Sequence, residues 1–270
     1  MIDRFLFHGF AVGLEGHIRA PFDEIIPVQA SSALPETGGY GSARVDNFRF
    51  REIVSCTAAY SQVAGAKSEK GSYDTLATVT VENLNILNMV TADRIVARMA
   101  SKHPDDPDVE PSVVPLGSYF ENLRIAGYPV ELDLATDTFT KLDTLTSMRE
   151  AYEKDENFRN EFDQLSLTGK GPDIPDTLRK YFPSCGIQKQ TAIPERKGII
   201  ACSLVRNLVS RGNLPRYGHV FPLRGFGIVR LAELKMSQGL RRITMLQVEL
   251  GSMPEGNVMV AFGEGNGTEW

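Results

Sequence analysis

Polar and apolar residues alternate along most of the chain, and a period of two is typical of β-strands. The clearest segments are "TLATVTVENLNIL" from Thr75, "YPVELDLA" from Tyr128, "TMLQVELG" from Thr244 and "NVMVAF" from Asn257. The last of these is almost wholly apolar, as expected for a strand that is buried on both faces. Glycines and prolines separate the segments and indicate turns. The pattern predicts a mainly β protein, an antiparallel sandwich or barrel.

The segment from Asn47 to Ser61, "NFRFREIVSCTAAYS", alternates over a longer stretch. We expect its core face to carry Phe48, Phe50, Val54, Cys56, Ala58 and Tyr60, and its other face to carry Arg49, Arg51, Ser55, Thr57 and Ser61. The order inverts at Glu52 and Ile53. This inversion predicts either one long strand with a bulge or two strands that meet at a bend.

One part of the chain has helical periodicity. In "KLDTLTSMREAYEKDENFRNEFDQLSL" the apolar residues near helical spacing are Leu142, Leu145, Met148, Tyr152, Phe158, Phe162 and Leu165. Ser147 and Glu150 match a capping box, and Thr144 is an alternative start. A shorter helix fits "IPDTLRKYFP", with Pro175 in its first turn and Pro183 at its end, after the loop "TGKGPD". We therefore predict a helical insertion at about residues 141–183, between β-rich parts at 1–140 and 184–270 that form one domain with it.

Two further segments carry weaker signals. "VTADRIVARMASKHP" suits a helix or a strand, and its neighbours favour a strand. "VENLNI" at residues 81–86 returns as "FENLRI" at 120–125, and "VRNLVS" at 205–210 keeps the central Asn-Leu pair. This echo is either a repeated strand-edge unit, in which the Asn serves a turn or bulge, or a coincidence in a leucine-rich β protein.

Composition narrows the classes of function. The chain has 270 residues, of which 42% are hydrophobic and 23% charged, which is typical of a folded protein with a sizeable core. A net charge of −5 argues against broad nucleic-acid binding, because such binding needs a basic surface. The three cysteines, Cys56, Cys185 and Cys202, form no CxxC pair, so we expect buried reduced thiols rather than a zinc site or disulfides.

The N-terminal segment "MIDRFLFHGFAVGLEGHIRAP" lacks the basic residues and the cleavage site of a signal peptide. No segment approaches the roughly 20 apolar residues of a membrane helix. We therefore expect a cytoplasmic protein without a membrane span, with a surface or extracellular location only by export without a signal peptide.

The stretch "LPETGG", residues 34–39, matches the recognition peptide of sortases at all six positions. Such a signal lies near a C-terminus and is followed by an apolar anchor, whereas here most of the chain follows and no anchor is found. Pro35 favours a turn, and the two glycines permit positive φ. We interpret the stretch as a surface connection between strands.

The acidic run "HPDDPDVEP" places Asp106, Asp108 and Glu110 at alternate positions, as the oxygen ligands of a calcium loop would be. It lacks the central glycine and the distant glutamate of an EF-hand loop. A solvated loop is the favoured interpretation, so no metal and no cofactor are expected. The glycine clusters "RGFGIVR" and "FGEGNGTEW" fit no nucleotide-binding motif and indicate turns.

The catalytic candidates are His8, Glu15, His17 and His219, and the catalytic residues as such stay unknown. Glu15 and His17 would share one face of a strand, because side chains alternate. In a barrel His8 could join them in an acid–base or metal site. His219 lies in "RYGHVFPLRGFG", which forms no recognisable constellation.

The middle of the chain resembles the bacterial β-rich modules that are grouped as "choice-of-anchor" proteins. The resemblance rests on "TVTVENLNI", "MVTADRIVARMAS" and "GSYFENLRIAGYPVEL". Those modules are associated with the cell surface, whereas no anchor or signal is found here, so what the resemblance implies is a β fold more than a function.

Together these observations predict a non-enzymatic binding or structural module that self-associates through β-strand surfaces, because exposed strands must be paired or covered. The expected partner is a second copy or another protein, and a small-molecule ligand is also possible. The alternative is an enzyme with a small-molecule cavity in a β barrel, using His and Glu side chains as acid–base groups.

Overall fold

The computed structural model describes residues 5–106, 108–166, 174–182, 200–237 and 240–269. The strands are β1 (Phe5–Ala20), β2 (Glu24–Ala33), β3 (Gly39–Phe50), β4 (Val54–Lys67), β5 (Tyr73–Ile86), β6 (Val90–His103), β7 (Ser112–Val114), β8 (Tyr119–Glu121), β9 (Arg124–Ile125), β10 (Tyr128–Leu134), β11 (Ile200–Ser203), β12 (Val205–Ser210), β13 (Val220–Leu223), β14 (Gly227–Ser237), β15 (Leu240–Gly251) and β16 (Glu255–Glu269). The helices are α1 (Thr136–Lys141), α2 (Leu145–Lys154), α3 (Glu156–Ser166) and a 3-10 helix at Asp176–Tyr181.

The strands form two antiparallel sheets that pack face to face, so the predicted mainly β fold is confirmed in its sandwich form. One sheet has seven strands in the order β11-β14-β15-β16-β1-β2, with β13 beside β14. The other has nine in the order β12-β10-β9-β6-β5-β4-β3, with β7 and β8 also paired to β6. The N-terminal β1 pairs with the C-terminal β16, and β10 pairs with β12 across the helical segment.

The chain crosses between the sheets on both sides of the sandwich. On one side the LPETGG stretch joins β2 to β3, as predicted. There the amide of Gly38 donates to the carbonyl of Pro35 at 2.8 Å, and Gly38 and Gly39 both have positive φ. On the other side Leu204, fully buried, links β11 to β12, and its amide donates to the carbonyl of Ala232.

In the nine-stranded sheet the inward–outward alternation of side chains shifts by one residue in several neighbouring strands, and these shifts line up in a row across the strands. In β5, Val81 and Leu84 are buried, whereas the two residues between them, Glu82 and Asn83, are half-exposed and exposed. Asn83 has φ of +50°, so two successive side chains point outward instead of one. The neighbouring strands make the same shift at Asn47, Thr57 and Asp93, so their cross-strand register is kept.

The seven-stranded sheet has a corresponding row, in which two successive residues of each strand point inward instead of outward. Its strands place two successive buried residues at Leu231–Ala232, Met245–Leu246, Val260–Ala261 and Gly13–Leu14. Ala232 and Ala261 have positive φ, and the register opposes Ala232 to Met245, Met245 to Ala261, and Ala261 to Gly13. A Cβ on Gly13 would lie 2.9 Å from Cβ of Ala59 in the other sheet. The inward-pointing residues of this row therefore pack against the row of the nine-stranded sheet in which two successive side chains point outward.

These rows correct the predicted core face of the segment from Asn47. Residues 51–53 form a hairpin turn between β3 and β4, so the alternative of two strands is the right one. Beyond Thr57 the alternation resumes out of phase. Ala59 and Ser61 are therefore buried, whereas Tyr60, which was predicted to face the core, points its hydroxyl to Glu82 at 2.6 Å.

The helical segment is confirmed, with two corrections at its start. It begins at Thr136 rather than Lys141, because α1 is a six-residue helix whose main apolar contact, Phe139, leaves no periodicity to detect. The N-cap of α2 is Thr144, the alternative start, and it forms a capping box with Ser147. The loop "TGKGPD" lies outside the described residues.

The described strands agree with most of the other predictions, and two are wrong. The glycine cluster "FGEGNGTEW" continues β16 instead of forming turns, and "NVMVAF" is not buried on both faces, because Asn257 and Met259 are half-exposed. β5, β10, β15 and β16 contain the four alternating segments, and the ambiguous segment forms β6. Cys56 and Cys202 are both buried, as predicted, whereas Cys185 lies outside the described residues. Among the helices of the described ranges, none is long and apolar enough to cross a membrane.

Candidate binding surface

The outer face of the nine-stranded sheet carries two parallel rows of side chains that run across the strands. The first, which we call the apolar row, joins cross-strand neighbours of β3 to β7: Tyr40, Ala64, Leu76, Ala100 and Val114. The second, the charged row, joins Ala66, Asp74, Lys102 and Ser112 of β4 to β7. Both rows follow from the register, because cross-strand neighbours share a face.

A groove of about 530 Å³ lies between these rows. Its floor is the backbone of the cross-strand row between them, which includes Gly39, Gly65, Thr75 and Ser101. The two glycines have no side chain, and the side chains of Thr75 and Ser101 point to the opposite face of the sheet. Its walls are low because they are built largely from alanines. Tyr40 and Leu76 rise beside it with 59% and 40% of their surface exposed.

Charged side chains on this face form opposed pairs, one of them at the groove. Asp74 of β5 stands opposite Lys102 of β6 in the charged row. Farther along the same two strands, Glu82 stands opposite Arg94 and accepts a hydrogen bond from it at 3.2 Å. Arg94 also lies 3.6 Å from Glu121. The face therefore combines an apolar groove with acidic residues on β5 and basic residues on β6.

His8 lies on the other sheet. Its Nε2 is 3.3 Å from Oε1 of Glu264, and the Nη2 of Arg242 donates to the second carboxylate oxygen at 2.8 Å. The Glu264 side chain is 4% exposed, whereas His8 is 60% exposed. A buried carboxylate with both oxygens paired is a structural anchor for the outer face of β16.

Glu15 and His17 occupy alternate positions of β1, as expected, but His8 does not join them. Glu15 is seven positions after His8, which corresponds to roughly 20 Å of extended strand. His17 instead contacts Asp23 through Nε2 at 2.9 Å on the exposed end of the strand. The predicted acid–base group around these three residues is therefore not assembled.

His219 belongs to a separate buried cluster under the 3-10 helix. Its Nε2 lies 3.6 Å from Glu233, which is too long for a hydrogen bond but close enough for an ionic contact, and Arg230 donates to Glu233 at 2.8 Å. Burial alone would raise the pKa of Glu233, but His219 and Arg230 outweigh burial and hold the pKa below its ordinary value. Tyr181 covers the cluster and donates to Glu249 at 2.7 Å.

The cavity at this cluster measures about 20 Å³ and is lined by Cys202, His219 and Glu233 among others. That volume holds about one water molecule and excludes a substrate of ordinary size. β14 is separated from β1 by two strands, or about 14 Å. His219 is thus remote from the three candidates on β1.

Glu110 of the acidic run caps the N-terminus of helix α2. Both carboxylate oxygens of Glu110 accept backbone amides at the start of α2, from Leu145 at 2.7 Å and from Thr146 at 3.0 Å. Asp106 instead accepts the amide of Asp108 within the loop. Within the described ranges of the chain, no group of three His, Cys, Asp or Glu side chains is placed to hold a metal ion.

The groove was missed by the sequence interpretation. Its walls contain alanines such as Ala64 and Ala100. In the sequence of a single strand, an alanine is as compatible with a buried position as with an exposed one. Only the register of four hairpins shows that these small residues stand side by side on an exposed face.

Comparison with known proteins yields a family match. A family model described as "Domain of unknown function (DUF8256)" matches residues 5–237, which takes in the whole nine-stranded sheet and its groove. No curated protein and no solved structure matches the chain.

Proposed function

The chain belongs to DUF8256, a family of domains of unknown function, and we propose that it is a non-enzymatic binding or structural module whose contact surface is the outer face of the nine-stranded sheet. The groove of about 530 Å³ carries this proposal. A protein partner is the occupant, because the groove is open along an exposed sheet rather than enclosed around a small ligand.

Three features support a contact surface. The apolar side chains of Tyr40 and Leu76 are exposed together at the groove, whereas scattered exposed residues would need no partner. The floor is backbone of regular paired strands, so the surface is rigid and binding costs little ordering entropy. The charged pair Asp74–Lys102 borders the apolar part, as polar residues do at the edges of protein interfaces.

Site-specific photo-crosslinking in cells of the source organism tests the proposal. A photoreactive residue at Gln62, which is exposed beside Ala64 on β4, should form a covalent adduct with a protein partner. The same residue at Glu153, exposed on α2, is the matched control and should give no adduct. Leu76→Arg should abolish the adduct at position 62, because the guanidinium places an unpaired charge in the apolar row.

Circular dichroism and thermal unfolding of the Leu76→Arg protein establish that it is folded. If position 62 forms no protein adduct, or forms the same adduct in the Leu76→Arg variant, the proposed surface is wrong.

A further inference from the structure

We propose that the partner at this surface is a second copy of the chain, docked face to face about a two-fold axis that runs parallel to the strands between β5 and β6. The inference rests on the proposed function and names its partner. Such a contact is closed, because the same surface is used by both copies.

The charges select this axis. A two-fold axis between β5 and β6 exchanges the two strands, so each residue meets the partner's copy of its own cross-strand neighbour. Asp74 then lies opposite the partner's Lys102, and Lys102 lies opposite the partner's Asp74. Glu82 and Arg94 repeat the arrangement farther along the strands. Opposite charges therefore face each other at four places.

Two alternative axes bring like charges together. An axis along β5 would place Asp74 opposite the partner's Asp74. An axis along the apolar row would place Lys102 opposite the partner's Arg98, since both flank Ala100 on β6. Like charges in direct opposition disfavour both arrangements.

The shapes of the side chains agree with the same axis. Leu76 would stand over the partner's Ala100, and Ala64 would receive the partner's Val114. Leu76 and Val114 thus each meet a small residue, which lets two sheet faces interdigitate. Leu76 would lose its exposed surface in the partner's groove.

The available area suffices for a stable dimer. About this axis the facing strands are β4, β5 and β6 with β7 and β8 beside them, which together are about 20 Å wide, and the fourteen-residue strands extend for about 40 Å. The face therefore offers on the order of 800 Å² per copy, the usual size for a specific interface.

Sedimentation velocity over a range of concentrations tests the arrangement through charge reversal. Asp74→Lys and Lys102→Asp, as single changes, each place like charges at two contacts and should weaken dimerisation by about tenfold or more. The double variant Asp74→Lys/Lys102→Asp restores opposite charges and should return the dimer to near wild-type strength. Glu153→Lys on α2 is the control and should leave dimerisation unchanged. Thermal unfolding at low concentration separates losses of dimer from losses of fold.

The result distinguishes the two proposals. If the adduct at position 62 contains a different protein, or if the chain stays monomeric at high micromolar concentration, the second copy is excluded while the contact surface stands. If a dimer forms but the double variant is no stronger than the single ones, the two-fold axis is wrong. If no adduct forms at all, both proposals fail.

Discussion

At the scale of single residues, the fold depends on small side chains where the two sheets meet. Gly13 lies opposite Ala261 on one side and Ala30 on the other, and it faces Ala59 across the sandwich. A Cβ at position 13 would stand 2.9 Å from Cβ of Ala59 and 3.0 Å from the carbonyl of Gln29. Neither neighbour is a flexible side-chain end, so the sheets themselves would have to move apart.

We therefore expect Gly13→Ala to lower the free energy of unfolding by about 1–3 kcal/mol through overpacking. Urea denaturation measures the change. Gly251→Ala is the matched control, because a Cβ there meets only Cα of Gly227 at 3.5 Å. Equal losses for the two variants would show that the tight contact between the sheets has no special cost.

At the scale of elements, the sequence predicted the type of most strands but not their phase. The Asn-Leu echo is a structural signal at two of its three places: Asn83 and Asn122 both have positive φ, and the leucine after each is buried. At the third, Asn207 uses its side chain to accept the amide of Leu208. Asparagine tolerates the left-handed conformation, which explains why this residue recurs where strands shift phase.

The phase of β4 could not be predicted in the same way. Its shift falls at Thr57 and Ala58, neither of which signals an irregular backbone, and it is imposed by Asn47 and Asn83 in the strands on either side. The groove depends on the same long-range register. A single strand shows alternating residues, whereas a surface needs knowledge of which strands are neighbours.

The link between the acidic run and α2 gives a prediction at this scale. Glu110→Ala should lower the free energy of unfolding by about 1–2 kcal/mol, because two amides of the first helical turn lose their acceptor. Asp108→Ala, an exposed change in the same loop, should have little effect. Chemical denaturation in the presence and absence of Ca²⁺ checks both points. If Ca²⁺ stabilises the wild-type protein and either variant loses that stabilisation, the loop binds calcium and the capping role of Glu110 is contradicted.

At the scale of the whole molecule, a buried histidine ties stability to pH. His103 is 7% exposed at the end of β6, and burial together with the charge of Arg241 lowers its pKa from 6.5 to about 4. The folded state therefore holds His103 neutral over a pH range in which the unfolded chain binds a proton. The contribution of neutral His103 to stability is present above about pH 6.5 and is lost as the pH falls from there toward about 4.

We expect the free energy of unfolding to fall by about 2 kcal/mol from about pH 7 to about pH 5, because His103 binds a proton in the unfolded chain but not in the folded one. Urea denaturation at the two pH values measures the loss. The variant His103→Phe keeps an aromatic ring beside Phe5, whose ring centroid is 5.1 Å from that of His103, and removes the titration. Its unfolding free energy should fall less over the same range. An identical pH dependence in both proteins would show that other groups are responsible.

The phase-shift rows also limit how the sequence can change over time. A one-residue insertion or deletion within β5 near Asn83 would turn half of that strand inside out relative to β4 and β6, which keep their register on both sides of the row. A compensating change in one neighbour would still leave the next strand mismatched. Length changes at these rows must therefore occur in all the strands of a sheet together or not at all. Relatives should keep strand lengths constant here and vary in the turns.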